Sequence, residues 1–236
     1  MHLQDSFLAI IPARGGSKGI IGKNLKKIGK KPMIQFTIEA ALSCINPNNI
    51  LVTSDNDDII NLSTKLGLAV PFKRPEELST DSAKTSDVIQ HAIEFYQNKY
   101  NNLPRNILLL QPTSPFRNLD DIRSAISKFN LSDKKTLVSA VEPIQHPCDC
   151  ILKNNDGKFQ RLSVGDNIYG RQKYPEVLYI DGGIYIANTE YFLETQDLIG
   201  DDPEVYITNQ FNAIDIDTPF DLEWARAMHN YRLTNE

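Results

Sequence analysis

The sequence predicts an α/β fold: three layers around a mostly parallel twisted sheet, with a small protruding lobe. Three observations carry this expectation. Stretches that are apolar throughout, FLAII at 7–11 and NILLL at 106–110, read as strands buried on both faces. Longer segments of helical periodicity lie between such runs, so strands and helices alternate along the chain. That rhythm breaks at 142–176, where Pro143, Pro147 and Pro175 and a turn at Asn155–Gly157 intervene. Hydrophobic residues make up 41% of 236 residues, enough for one core, so a single domain over 1–236 is expected, with 142–176 as an inserted lobe or dimerisation arm.

Each element follows in turn. After the first strand a helix is expected from Pro32 through MIQFTIEAALSC, because proline suits a first helical turn. ILVT at 50–53 is a second strand, and a helix then runs from Asn56 to just before Gly67. Further helices are expected near Ser86 (DVIQHAIEFYQNKY) and over 119–130, with strands in NILLL and in TLVSAV at 136–141. KNNDGK marks a hairpin tip within the lobe. The sheet resumes in GGIYIA at 182–187, and a last strand is expected in FNAIDI at 211–216. Thr218-Pro219-Phe220-Asp221 fits a capping box that opens a final helix, which favours a structural role for Asp221 over metal ligation.

Composition excludes several functions. With 30 acidic against 25 basic residues the formal net charge is −5, which argues against general nucleic-acid binding, while a local basic site for a nucleotide stays open. MHLQDSF lacks the basic start of a signal peptide, and no stretch reaches the roughly 18 apolar residues of a membrane span. The cysteines Cys44, Cys148 and Cys150 read as free thiols of a reducing, cytoplasmic compartment. No histidine has a serine or cysteine partner at a recognisable spacing, so a hydrolase triad is not expected.

The densest chemistry follows the first strand, in IIPARGGSKGIIGKN. Gly15, Gly16, Gly19 and Gly22 alternate there with Arg14, Lys18 and Lys23. The spacing fits neither the P-loop nor the dinucleotide fingerprint. Glycines that let backbone N–H groups approach phosphate oxygens, beside three neutralising cations, favour phosphate binding over a solvated basic turn. Near the C-terminus, Asp215 and Asp217 stand two apart and so face one side of an extended segment, as a Mg²⁺ (or Mn²⁺) site requires; the alternative is that Asp217 merely precedes a helix. The Asp215-Ile216-Asp217 triplet also fits a sugar-nucleotide glycosyltransferase, and the basic loop alone fits a nucleotide-binding protein without turnover.

The loop resembles the signature of the CMP-sialic acid synthetases (acylneuraminate cytidylyltransferases), a group that includes the legionaminic and pseudaminic acid cytidylyltransferases. KRPEELSTDSAKTSD (73–87), LLLQPTSPFR (108–117), RQKYPEVLYIDGGIYI (171–186) and IDIDTPFDL (214–222) extend the resemblance over nearly the whole chain. CMP-Kdo synthetases share the fold and part of the loop. The resemblance implies a Rossmann-like nucleotidyltransferase that joins CTP to a nonulosonic, sialic-type acid and releases pyrophosphate. It implies that Arg14, Lys23 and Asp217 serve catalysis, that Asn24, Arg74, Ala83 and Thr85 contact CTP, and that Gln111, Arg171 and Tyr185 contact the sugar acid. It implies Asp215 and Asp217 as metal ligands, and a homodimer in which an arm covers the partner's site. Read without the resemblance, Arg74 could equally form a surface ion pair and Tyr185 could be a core tyrosine. The sequence departs from the family pattern at Ile21, where many relatives have proline, and at Asp181-Gly182, where Asn-Gly is usual; a carboxylate at 181 would repel a sugar carboxylate unless it faces away.

Overall fold

The computed structural model describes residues 6–162 and 171–235, the side chains of Arg171 and Asn235 excepted. Strand β1 (Phe7–Pro12) runs through the centre of the sheet. Phe7, Ala9 and Ile11 pack into one layer of helices and Leu8 and Ile10 into the other, which is why the strand is apolar at every position. After the glycine loop come a two-residue ribbon, β2 (Lys27–Ile28) and β3 (Lys31–Pro32), and then α1 (Met33–Leu42). Pro32 is the residue before this helix, with φ −57° and ψ 146°, not its first turn. β4 (Ile50–Thr53) leads to α2 (Asp57–Lys65), whose start is capped by the Asn56 side chain accepting from the Ile59 N–H. Next are α3 (Thr85–Tyr100), β5 (Asn106–Leu109), α4 (Leu119–Leu131) and β6 (Thr136–Val141). The lobe carries the expected hairpin, β7 (Ile151–Lys153) with β8 (Phe159–Arg161). The chain closes with β9 (Tyr179–Asn188), α5 (Thr189–Thr195), β10 (Glu204–Ile207) and α6 (Pro219–Asn235).

The six-stranded sheet has the order β10-β6-β9-β5-β1-β4. β4, β1 and β5 are mutually parallel, and so are β6 and β10, while β9 runs antiparallel between β5 and β6. One face packs against α1, α2 and α4 through Ile34, Ile38, Ile59, Ile122 and Phe129, and the other against α3 and α5 through Ile89, Ile93 and Phe192. This is the expected three-layer, mostly parallel architecture.

Two further expectations need correction. FNAIDI is not a strand: residues 211–218 run without strand pairing, and the last strand is β10, a partly buried edge strand parallel to β6. The alternation that suggested a strand has another cause. Ile214 and Ile216 enter a third apolar cluster with Ile20, Ile28, Met33, Phe116, Leu222 and Ala225. A single backbone bond, from the Ile216 N–H to the Thr113 carbonyl at 2.9 Å, fixes the segment's position. Second, β9 begins at Tyr179, three residues before the expected GGIYIA, and its ladder with β6 is irregular between Val138 and Ala140.

The third cluster joins the glycine loop, the ribbon, α1, α6 and the 214–216 segment in one small core. Ile216→Ala is expected to cost about 2–5 kcal/mol, because Ile216 is fully buried there. Urea unfolding followed by circular dichroism checks this; an unchanged midpoint would mean that the cluster does not hold the segment.

Candidate active site

The C-terminal ends of β1, β4 and β5 open into a cavity of about 360 Å³, where open α/β sheets characteristically bind ligands. Its wall includes Arg14, Lys18, Gly19, Lys23 and Asn24 from the glycine loop, Arg74, Asp81, Ala83 and Thr85 from the stretch before and at the start of α3, Gln111 and Thr113 after β5, and Asp217. Sequence positions up to about 200 apart thus meet, and eight of the eleven predicted residues line the cavity: Arg14, Lys23, Asn24, Arg74, Ala83, Thr85, Gln111 and Asp217. Tyr185 and Asp215 stand next to it, and Arg171 begins a short 3₁₀ turn (Arg171–Lys173), with its side chain outside the described residues.

The glycine loop is built around the crossing segment. Lys23 Nζ donates to the Ile216 carbonyl at 3.0 Å and to Asp217 Oδ1 at 2.9 Å. A Cβ on Gly19 would overlap the Asp217 carbonyl oxygen, so only glycine permits this approach. Gly22 has φ +64°, the left-handed conformation that glycine adopts without strain, and it turns the chain into the 3₁₀ turn that carries Lys23 and Asn24. Asn24 is buried, and its amide donates to the Arg14 carbonyl at 2.9 Å. It therefore clamps the loop's shape, a role the sequence did not suggest, while still bordering the cavity.

Asp215 and Asp217 do share one exposed side, with Ile214 and Ile216 buried on the other. The same-face geometry survives although the supporting strand does not exist. Desolvation in the cleft raises the Asp215 pKa; the negative charges of Asp217 and Asp221 add to that rise, and a hydrogen bond from Thr113 and the charge of Lys23 oppose it. A carboxylate so desolvated beside like charges is stabilised by a nearby cation. No third acidic or histidine ligand joins the pair among the described residues, so they suit an ion that completes its shell with water and substrate oxygens, as Mg²⁺ does. Asp221 takes the capping role expected of it. Its Oδ2 accepts from the Thr218 N–H at 2.7 Å and the Asp217 N–H at 3.1 Å, and although burial works the other way, these bonds lower its pKa.

Arg74 is no surface ion pair. It is buried, its Nε donates to Thr53 Oγ1 at 3.0 Å, and its Nη2 donates to the Thr53 carbonyl at the end of β4. Burial pushes its pKa down to about 10, with Asp55 opposing and Arg14 adding to the fall, so it stays cationic at neutral pH. Gln111 and Asp215 meet across Gly182: a Cβ there would stand 3.5 Å from both Gln111 Oε1 and Asp215 Oδ2. Tyr185 belongs partly to the core and partly to the site. It packs on the α3–α5 side of the sheet, and burial, with Asp215 and Asp181 nearby, raises its hydroxyl pKa. Asp181 faces inward. It is buried, and its Oδ1 accepts from the Gly183 N–H at 2.8 Å and from the Ser139 hydroxyl. Its charge therefore lies beneath the Gly182–Gly183 backbone, not at the cavity. Sequence reasoning missed Asp81 and Thr113; both lie inside motifs it had singled out, but only their tertiary contacts, to Arg14 and Lys18 and to Ile216, mark them.

Comparisons with known proteins identify the family. The Cytidylyltransferase family profile matches residues 8–175. The chain is 34% identical to the CMP-N,N'-diacetyllegionaminic acid synthase of Legionella pneumophila over 92% of its own length and 93% of that protein's. It is 31% identical to a Campylobacter jejuni pseudaminic acid cytidylyltransferase, with 97% of each chain covered. It is also 33% identical to an N-acylneuraminate cytidylyltransferase of Escherichia coli O18:K1:H7, of which it spans about half, 52%. Among solved structures, a CMP:2-keto-3-deoxy-manno-octonic acid synthetase complexed with CTP superposes with a TM-score of 0.67 at 18% identity, covering 96% of this chain and 99% of that one. At that identity the match shows the shared fold.

Gly19→Ala should move the Asp217 backbone while leaving the sheet intact. A displacement of this size typically costs on the order of 10²-fold in turnover. Circular dichroism and steady-state kinetics check the pair of outcomes; full activity would mean that the close approach is incidental.

Proposed function

Because the chain belongs to the cytidylyltransferase family, we propose that it transfers the cytidylyl group of CTP to a nonulosonic acid and releases pyrophosphate. The observation that carries this reading is the single cavity in which three loop cations, a buried arginine and an aspartate of the 215/217 pair converge. Relatives 31–34% identical over nearly their full length carry nonulosonic-acid names, whereas the octonic acid synthetase is alike in fold alone. A sugar-nucleotide glycosyltransferase or a binding protein without turnover has no comparable support.

The chemistry follows from position and charge. The anomeric hydroxyl of the sugar acid attacks the α-phosphorus, and the bond to the bridging oxygen of pyrophosphate breaks. Negative charge grows on the leaving group, where Arg14, Lys18 and Lys23 neutralise it. Two residues from the start of α3, Thr85 and Val88, also border the cavity; with no side chain capping that helix, its dipole favours an anion there. Asp215 and Asp217 would hold a divalent cation, Mg²⁺ or Mn²⁺, which supplies further charge neutralisation at the phosphates. Two of the Arg74 nitrogens are held by Thr53, and Nη1 would donate to the cytosine O2 and N3 between Ala83 and Thr85. Gln111, Tyr185 and Arg171 would hold the sugar acid, Arg171 by a two-point pairing with its carboxylate. The inward turn of Asp181, held by the Gly183 N–H and the Ser139 hydroxyl, lessens the repulsion that the departure from Asn-Gly would otherwise bring.

The chain would act in the cytoplasm as a homodimer. Three observations support this: Cys150 is an exposed free thiol, no helix of the described residues is long and apolar enough to cross a membrane, and the β7–β8 hairpin exposes Ile151, Leu152 and Phe159 as an arm suited to a partner.

A pyrophosphate-release assay with CTP, Mg²⁺ and a panel of N-acetylneuraminate, legionaminate, pseudaminate and Kdo tests the proposal. Release is expected with a nonulosonic acid and not with Kdo; release with Kdo alone, or with none, contradicts it. Arg74→Ala should raise KM for CTP and relax the rejection of UTP while leaving sugar-acid KM little changed. Unaltered KM for CTP with UTP still refused would remove Arg74 from the base site.

A further inference from the structure

The cations meant for phosphate are not idle in this structure. Arg14 Nη1 lies 2.7 Å from Asp81 Oδ1, and Lys18 Nζ lies 3.1 Å from Asp81 Oδ2. One carboxylate thus gives one oxygen to each cation, and all three residues line the same cavity. A phosphate group would present its oxygens to these two cations in the same bridging manner. Asp81 cannot remain there when phosphate arrives, because two anions would then share one pair of cations.

Asp81 is also placed to leave. It lies on a turn between the short helix Glu76–Leu78 and α3, held by local bonds such as Ser79 N–H to the Glu76 carbonyl (2.9 Å) and Ala83 N–H to the Thr80 carbonyl (3.3 Å). Its side chain is 40% exposed and that of Lys18 79% exposed, so solvent screens both ion pairs and weakens them.

We propose that Asp81 is a built-in substitute for phosphate: it holds Arg14 and Lys18 in the empty site and is displaced by the polyphosphate. The inference rests on the cytidylyltransferase reading and assigns to Asp81 the setting of nucleotide affinity. Two consequences follow. Incoming CTP must compete with Asp81, so the residue lowers affinity for the triphosphate. The same competition acts on the product, so Asp81 hastens the departure of pyrophosphate by recapturing its cations. A residue that contacted the base, ligated the metal or merely stabilised the turn would do the reverse, since its loss would weaken binding.

The test uses Asp81→Asn, which keeps shape and removes charge, with Asp81→Ser as a second variant should the first misfold. Inorganic pyrophosphate is titrated calorimetrically into wild type and variant, and KM for CTP and for the sugar acid are measured in parallel. The expected result is tighter pyrophosphate binding and a lower KM for CTP, each by roughly 3- to 20-fold for the release of two exposed ion pairs. KM for the sugar acid should stay unchanged, and the difference between variant and wild type should shrink at high salt. Unchanged or weaker pyrophosphate binding in the variants, or no pyrophosphate binding by wild type, overturns the proposal. If wild type binds pyrophosphate but turns over no sugar acid with CTP, the functional reading fails while the pyrophosphate comparison still decides the role of Asp81.

Discussion

The site depends on one crossing: residues 214–217 pass over the glycine loop and are locked to it from both sides. Below, Ile214 and Ile216 share an apolar cluster with Ile20 of the loop. Above, Lys23 grips the Ile216 carbonyl and the Asp217 carboxylate, and Gly19 leaves room for the Asp217 backbone. Burial of the two isoleucines turns Asp215 and Asp217 outward, so hydrophobic packing aims the carboxylates. Lys23 of the loop and the candidate metal ligand Asp217, almost two hundred residues apart in sequence, are thereby held together. Such prior organisation is what nucleotidyl transfer needs, because it depends on position and charge more than on covalent participation by the protein.

The sheet gives this crossing its frame. β1, β4 and β5 run parallel and end together, so the loop after β1, Thr53 at the end of β4 and Gln111 after β5 converge. Thr53 in turn orients Arg74, which ties this wall of the cavity to a strand end. The match to a synthetase only 18% identical shows that the fold itself tolerates wide sequence change. Asp181, near the start of the interior strand β9, is held inward by Ser139 and Gly183.

Much of this was legible in the sequence. Runs such as FLAII and NILLL could only be strands buried on both faces, and the Asn56 and Thr218–Asp221 signals fixed helix starts because capping is local chemistry. The FNAIDI segment misled because alternation reports one buried side and not a ladder: Ile214 and Ile216 satisfy a cluster under α6 instead of a neighbouring strand. β10 was missed for the opposite reason. As a partly buried edge strand, EVYI lacks a continuous apolar run. Residue types with marked chemistry, such as Arg14, Arg74 and Asp217, were identified before their surroundings were known. Asp81 was not, since only its distance to Arg14 and Lys18 reveals it, and that distance is a tertiary property. The clamp formed by Asn24 is of the same kind.

The central claim is that the crossing brings phosphate cations and the Asp215–Asp217 pair together as one site. Electron paramagnetic resonance of Mn²⁺ measures it most directly, with the protein titrated alone, with CTP, and as Asp217→Asn with CTP. The account predicts weak Mn²⁺ binding to the free protein, where Lys23 rests on Asp217, and much tighter binding once CTP supplies phosphate oxygens, with that gain lost in the variant. Equal Mn²⁺ affinity with and without CTP, or an undiminished gain in Asp217→Asn, would contradict it.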